Sequence, residues 1–449
     1  MRFQIDGTML KTFSRGIHTD HRKKATQSVP IQDASLPKRA VLPLQQNLGV
    51  PAEAIVKVGD VVVEGQKIAD SSKFVSAPIH APISGKVVRI EKLPTAAGTP
   101  VMSIVIESAE DAQVAAPVQD RRSWMEFDRD AIRKAVREAG IVGLGGATFP
   151  SHVKLSPPSE KKIDAVIING CECEPYLTVD HRLMLERAAD ILAGAGAIAR
   201  AVDAPRIIFG IENNKPDAIA SMTSEVSKKG LSGVEIVTLK TKYPQGGEKM
   251  LIKAILGREV PSGGLPMDVG AVVHNVGTAV AIAEALELGK PLIERVVTVT
   301  GSGIREPKNL RVRIGTSFAE VIGQCGGLTE DAAKIIMGGP MTGTAVSSIE
   351  VPVVKATSSI LVLAKRDVGE SAEGDCIRCG RCIRACPVGL MPNYLANFAK
   401  LKNWERVEEY HMADCIECGC CAYVCPARIF LVQQFKVAKR ELQLRKAVC

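Results

Sequence analysis

The period of the hydrophobic pattern changes several times along the chain. Between residues 35 and 107, short β-branched runs such as Ile55-Val56-Lys57-Val58, Val61-Val62-Val63 and Lys86-Val87-Val88-Arg89-Ile90 are cut by Gly and Pro every few positions. Runs that short predict a small all-β module. A polar stretch at 109–120 ends it, and helical periodicity begins at 128–140. Compact apolar runs at 164–169, 205–210 and 234–239 then alternate with longer helical segments such as 180–200. Buried strands alternating with helices predict an α/β domain. Residues 296–314 return to strand-like alternation, 317–325 read as one short helix before Gly326-Gly327, and 359–364 read as a last strand. A helical segment near 394–410 lies between two cysteine-rich runs.

At 449 residues the chain exceeds one ordinary core, and ~150 residues per domain suggests three or four domains. The expected division is an N-terminal segment 1–34, a β module 35–118, an α/β domain 119–292, a second small β module 293–350 and a cysteine-rich helical domain 351–449. With only 4% aromatic residues, aliphatic packing must dominate. The net charge of +8 suits nucleic acid, an anionic membrane surface or an acidic redox partner, and by itself selects none of them. No uncharged apolar run reaches the ~18 residues of a spanning helix; residues 269–286 come nearest and are broken by His274, Asn275 and Glu284. The first 30 residues carry Asp6, Arg15, Asp20 and His21 without the apolar stretch of a secretory signal, so a cytoplasmic location is expected.

The cysteines change the picture most. Nine of the thirteen fall between Cys376 and Cys425, and Cys-x-x-Cys-x-x-Cys-x-x-x-Cys-Pro occurs twice, from Cys376 and from Cys415. Closely spaced thiolates on a tight loop can supply three corners of a cubane iron–sulfur cluster, and in two-cluster ferredoxins the fourth Cys of each run ligates the other cluster. The expected ligand sets are therefore Cys376, Cys379, Cys382 and Cys425 for one [4Fe–4S] cluster and Cys415, Cys418, Cys421 and Cys386 for the second. Zinc also uses paired Cys-x-x-Cys units and is the alternative. Cys420 is extra to the motif and reads as a small buried apolar side chain; Cys171, Cys173, Cys325 and Cys449 read as non-ligands.

Upstream, residues 139–150 form a glycine-rich turn after a helix, where side-chain-free positions expose amide donors to a phosphate or a flat ring. A bare turn is the bland alternative. An expected strand then ends in Asn169-Gly170-Cys171-Glu172-Cys173-Glu174-Pro175-Tyr176, and carboxylates at such a strand end lie where α/β sheets bind ligands. A solvated strand-end charge is the alternative for each glutamate. Lys242-Tyr243-Pro244-Gln245-Gly246-Gly247-Glu248-Lys249 and His274-Asn275-Val276-Gly277-Thr278 follow.

In order, these segments resemble the flavin-binding subunit of respiratory complex I. Together with Gly338-Gly339-Pro340-Met341-Thr342-Gly343 and the two cysteine runs, they resemble more closely the RnfC family, the flavin and iron–sulfur subunits of Rnf electron-transport complexes, over residues 15–432. The resemblance implies a multidomain α/β architecture: a barrel-sandwich hybrid like that of lipoyl carriers, a Rossmann-like complex I flavin-type α/β domain, an SLBB β-grasp module and an α-helical two-cluster ferredoxin domain. No lysine sits at a hairpin tip of the first module to carry a prosthetic group. By the same resemblance Gly143, Gly145, Gly146 and Lys154 would cradle FMN, Asn169, Asn275 and Thr278 would give polar contacts, and Glu172 and Glu174 would face the flavin or a nicotinamide ribose. The chain departs from the family pattern at Arg15-Gly16-Ile17-His18-Thr19, in place of Gly-Gly-Ile-His-Pro, and at Cys171, in place of Ala.

What the resemblance implies for function is a peripheral subunit on the cytoplasmic face of the membrane, bound to other subunits of an Rnf-type complex. It would pass electrons between a ferredoxin-type carrier and NAD(H) or another acceptor; nucleic acid is not among its expected partners. Two other readings are a cobalamin reductase of the propanediol-utilisation type and a cluster-bearing docking relay without active flavin. The basic, apolar-striped tail 427–449 reads either as a docking helix for a partner or anionic leaflet, or as an ordinary packed helix.

Overall fold

The computed structural model describes residues 4–5, 8–96, 98–109, 121–230, 232–369 and 372–448. Most of the polar stretch at 109–120, and Cys449, lie outside them. Five of the seven strands of the first β module have five residues or fewer, whereas Gly85–Leu93 and Val101–Ser108 run to nine and eight, longer than the short runs expected. Strands Arg39–Pro43, Val101–Ser108, Gly85–Leu93 and Val61–Val62 form an antiparallel sheet in that order, and Glu53–Ala54, Lys67–Asp70 and Ile79–His80 form a second. Leu42, Val62, Ile68, Ile79, Val87, Ile104 and Ile106 share one core, as expected for a barrel-sandwich hybrid.

The α/β domain is a parallel sheet in the order Val234–Leu239, Ile207–Glu212, Ala165–Gly170, Ala271–Asn275. Its first strand in sequence thus lies between the second and the fourth. At that reversal the connecting helices leave to opposite sides, which opens a crevice beyond the strands' C-terminal ends. Every residue of Ile207–Glu212 is buried because helices cover both faces. The helical segment expected at 180–200 is two helices, Val179–Glu186 and Ala188–Val202. They meet at Arg187, whose guanidinium is drawn to Asp190 at 2.5 Å and Glu284 at 2.9 Å, and whose φ of −132° is not helical. Ala188–Val202 crosses Val276–Leu288 at Gly194, where a Cβ would lie 1.9 Å from the carbonyl oxygen of Ala279.

The second β module is a six-stranded mixed sheet, ordered Thr344–Val346, Ala332–Met337, Ser359–Ala364, Glu294–Thr300, Lys308–Arg313, Ile31–Asp33. The sheet extends past residues 293–350 in both directions, taking one strand from the N-terminal segment and one from beyond 350. The short helix is Phe318–Gly323, capped by Ser317 and anchored by buried Phe318.

In the C-terminal domain the helix near 394–410 divides into Pro392–Lys400 and Trp404–Glu409, because Lys402 turns to a φ of +53° and Asn403 caps the second. The last helix, Leu431–Val448, buries Leu431, Phe435, Ala438 and Leu442 in a core with Leu395, Val407 and Met412. Its apolar stripe is thus used in packing. Among the described residues no helix is long and apolar enough to cross a membrane.

Candidate functional site

The glycine turn folds over the crevice of the parallel sheet. Gly143 donates to the Phe149 carbonyl at 2.9 Å and Leu144 to Thr278 Oγ1 at 2.9 Å, which pins the turn to the start of Val276–Leu288. Gly145 lies flat on Asn275, where a Cβ would come within 2.9 Å of the Asn275 Cβ, while beside Gly146 there is open space. Gly145, Gly146 and Ala147 are exposed, and their amides donate to no acceptor among the described residues. Three successive free amides beside an open crevice suit an anionic phosphate. Asn169 and Asn275 stand side by side at the ends of paired strands. Asn169 donates to the Gly246 carbonyl at 2.8 Å; Asn275 caps its helix through Gly277 at 2.8 Å and donates to Asp180 at 2.7 Å. Lys154 reaches the same edge, held by Glu248 at 2.5 Å and the Val273 carbonyl at 3.1 Å. Gly143, Gly145, Gly146, Lys154, Asn169, Asn275 and Thr278 are therefore gathered at one end of the sheet.

The two glutamates turn away from it. Glu172, at a φ of +46°, accepts from the Asp180 amide at 2.6 Å and faces buried Lys23 at 3.6 Å. Glu174 accepts from the amides of Met341 at 3.1 Å and Thr342 at 2.9 Å, in the loop 338–343 of the β-grasp module. Its burial outweighs these bonds and pushes the carboxyl above its ordinary range. To meet a nucleotide, either side chain would have to leave these partners. Lys23 was invisible as a site residue in the sequence; its ammonium donates to the carbonyls of Glu172, Glu174 and Leu177, more than 140 residues away in sequence.

Asp180 is partly buried, and desolvation, then the charge of Glu172, push its carboxyl up from 3.8 to about 7. A folded-state pKa above the unfolded value favours the folded chain below about pH 4, and that contribution drains away as pH rises to about 7, at ~1.4 kcal/mol per pH unit. Asp180→Asn keeps an acceptor for Asn275 and removes the charge. Urea unfolding should find the variant's gain over the native chain larger at pH 8 than at pH 5; an equal difference at both pH values would count against this assignment.

The cysteine runs surround two cavities. One is lined by Cys376, Cys379, Cys382 and Cys425, the other by Cys386, Cys415, Cys418 and Cys421. Cys420 also lines the second cavity; among the motif cysteines, each cavity draws three from one run and the fourth from the other. Gly380 and Gly419, at φ of +70° and +79°, make the equivalent left-handed turn after the second cysteine of each run, a conformation that costs other residues about 1 kcal/mol or more. Four thiols around one cavity fit an iron–sulfur cluster, and Cys386 Sγ already accepts a bond from the Leu390 amide at 3.3 Å. Among the described residues, no group of three or more His, Cys, Asp or Glu side chains gathers as the ligands of one metal ion. Cys420 is buried, its sulfur 4.0 Å from the Tyr243 carbonyl.

Tyr243 joins the two halves of the site, a role that sequence reasoning missed. Its hydroxyl donates to the Cys418 carbonyl at 2.8 Å, and its ring packs with Ile17, Ala385, Cys420, Cys173 and Met341. Three residues further on, Gly246 accepts from Asn169 and donates to Cys173 Sγ at 3.4 Å. The departing Arg15–Thr19 segment is wedged here too, with Gly16 donating to Ala385 at 3.2 Å and Ile17 to Tyr243 at 2.8 Å. The second thiol ring thus sits one short loop from the glycine cradle.

A nucleotide cradle at the reversal of a parallel sheet, joined to paired thiol rings, defines a flavin and iron–sulfur electron-transfer protein. Residues 136–284 match the profile of the Nuo51 FMN-binding domain, 11–111 the RnfC barrel sandwich hybrid domain, 296–345 the SLBB domain and 370–429 the 4Fe-4S dicluster domain. The chain is 49% identical over 436 residues to a subunit of the proton-translocating ferredoxin:NAD(+) oxidoreductase complex of Clostridium ljungdahlii, covering 96% of this chain and 94% of that one. It is 46% identical to a subunit of the Na(+)-translocating ferredoxin:NAD(+) oxidoreductase complex of Acetobacterium woodii, covering 96% and 97%. Against a subunit of the ion-translocating oxidoreductase complex of Rhodobacter capsulatus the figures are 45%, 98% and 85%. The chain belongs to the RnfC family. A likeness in fold alone links it to an NAD+-reducing [NiFe]-hydrogenase, at a TM-score of 0.52 and 20% identity over 72% of this chain and 65% of that one.

Proposed function

We propose that the chain is the peripheral flavin and iron–sulfur subunit of a membrane-bound, ion-translocating ferredoxin:NAD+ oxidoreductase, lying on the cytoplasmic face. In this reading it passes electrons between a ferredoxin-derived carrier and NAD through FMN and two [4Fe–4S] clusters. The observation that carries the reading is the junction at Tyr243, where a ring of four thiols abuts the loop bonded to Asn169. Bound flavin supplies the exchange between two-electron hydride chemistry and one-electron carriers. The chain's own residues bind and orient: the amides of Gly145 to Ala147 and Lys154 favour the phosphate, and Asn169, Asn275 and Thr278 fix the cradle's walls. Cys376, Cys379, Cys382 and Cys425 would hold one cluster, and Cys386, Cys415, Cys418 and Cys421 the other. Glu172 and Glu174 act as positioning groups, tying the cradle strand to Lys23 and to the β-grasp loop.

Anaerobically prepared chain should carry about eight irons and one flavin, and NADH should bleach the flavin absorbance. Zinc in place of iron, or bound flavin that NADH leaves oxidised, would overturn the assignment. The likeness to subunits of ion-translocating complexes over nearly the whole chain supports this reading above a soluble cobalamin reductase.

A further inference from the structure

The two thiol rings differ in what surrounds them. The second ring is covered: Tyr243, Ile17 and Met341 pack over the Cys418–Cys420 turn, and a Cβ on Gly419 would lie 2.9 Å from the Met341 carbonyl oxygen. The first ring faces outward. Cys376 and Cys379 are exposed, and Ile377 between them is 68% exposed. The charged residues lining that cavity are Arg378, Arg381 and Lys400, with no carboxylate among them. Among the described residues neither arginine forms an ion pair, and Lys400 pairs with Glu373 at 3.1 Å. Asp375 precedes the ring without lining the cavity.

Resting on the function proposed above, we infer that the rim formed by Arg378, Arg381 and Lys400 around Ile377 is the docking surface for an acidic electron-carrier protein. An apolar centre within a charged border is the anatomy of a transient protein contact, and the border's sign selects a partner of opposite charge. The carrier's reduced centre gives up one electron and the group held by the first ring gains it, with no proton or bond exchanged. The covered second ring then stands between this port and the flavin cradle, so electrons cross the domain from the outward ring to the inward one.

The test uses full-length, anaerobically loaded chain and a reduced acidic two-[4Fe–4S] ferredoxin as the probe, followed by stopped-flow absorbance at low and high salt. Arg378→Glu/Arg381→Glu should slow reduction about tenfold at low salt and remove most of the salt dependence. Lys400→Glu, outside the cysteine runs, should act in the same direction, while Lys86→Glu on the first β module should not. Unchanged rates in both rim variants, or slowing that salt does not affect, would overturn the port. NADH bleaching of the flavin in the same samples separates the outcomes: if it persists while the rim variants react normally, the docking surface fails and the function stands. If it is absent from the native chain, the function itself fails.

Discussion

Cys386→Ser is expected to abolish the cluster held by the second cysteine run and spare the one held by its own. Sequence proximity predicts the reverse, because Cys386 follows Cys376, Cys379 and Cys382 within one motif. In the structure it lines the cavity of Cys415, Cys418 and Cys421, while Cys425 crosses to the other. Removing one thiolate from a four-ligand site leaves an open corner that serine fills poorly, so iron should fall from about eight to about four per chain. The decisive readout is EPR of the reduced protein. Cys386→Ser and Cys415→Ser should erase the same signal, and Cys425→Ser and Cys376→Ser the other. If Cys386→Ser instead matches Cys376→Ser, the rings are not crossed.

Gly194→Ala should be the most damaging glycine-to-alanine change in the α/β domain among the described residues. The added methyl group would lie 1.9 Å from the Ala279 carbonyl oxygen and 2.9 Å from the Ala279 Cα, both backbone atoms of the facing helix. Backbone cannot swing aside as a side chain can, so Ala188–Val202 and Val276–Leu288 must separate. Overpacking of this kind costs about 3 kcal/mol. The loss reaches the site because Val276–Leu288 begins at Asn275 and carries Thr278, which holds the glycine turn. Thermal unfolding should shift down and flavin retention on desalting should fall, with both rings still loading iron. Gly146→Ala, where a Cβ meets open space, is the control and should leave unfolding unchanged. A variant at Gly194 as stable as the control would refute the close-packed crossing.

The parts of this architecture that could be read from sequence are those written locally. Three cluster ligands fall within seven residues, and a buried parallel strand is a compact apolar run wherever it pairs, so the runs at 164–169 and 234–239 lie within a residue of Ala165–Gly170 and Val234–Leu239. What escaped depends on contacts between distant positions. Nothing near Glu174 indicates that its partner is the loop at Met341, and nothing near Tyr243 indicates a bond to Cys418. From sequence the carboxylates of Glu172 and Glu174 read as open because they follow the C-terminal end of a strand; a lysine from the N-terminal segment and a loop from another module close them off. The break at Arg187 follows the same rule, since Glu284 lies almost a hundred residues on. Asn169, Asn275 and Thr278 reached the cradle together because strand order, which the sequence does not state, places their two strands side by side.

Ile31–Asp33 runs alongside Asn309 to Arg311 at the edge of the β-grasp sheet. During synthesis the first strand leaves the ribosome long before the second exists, and at ~5–20 residues per second the wait is tens of seconds. For that time the nascent chain carries an edge with no neighbour, the kind of surface through which unfinished proteins stick to one another. Gln32 and Asp33 make it a poor template for such pairing, and its length of three residues leaves little to grip. Closing that sheet is accordingly a late step of assembly, one that ties residues 31–33 to a strand almost three hundred positions further on.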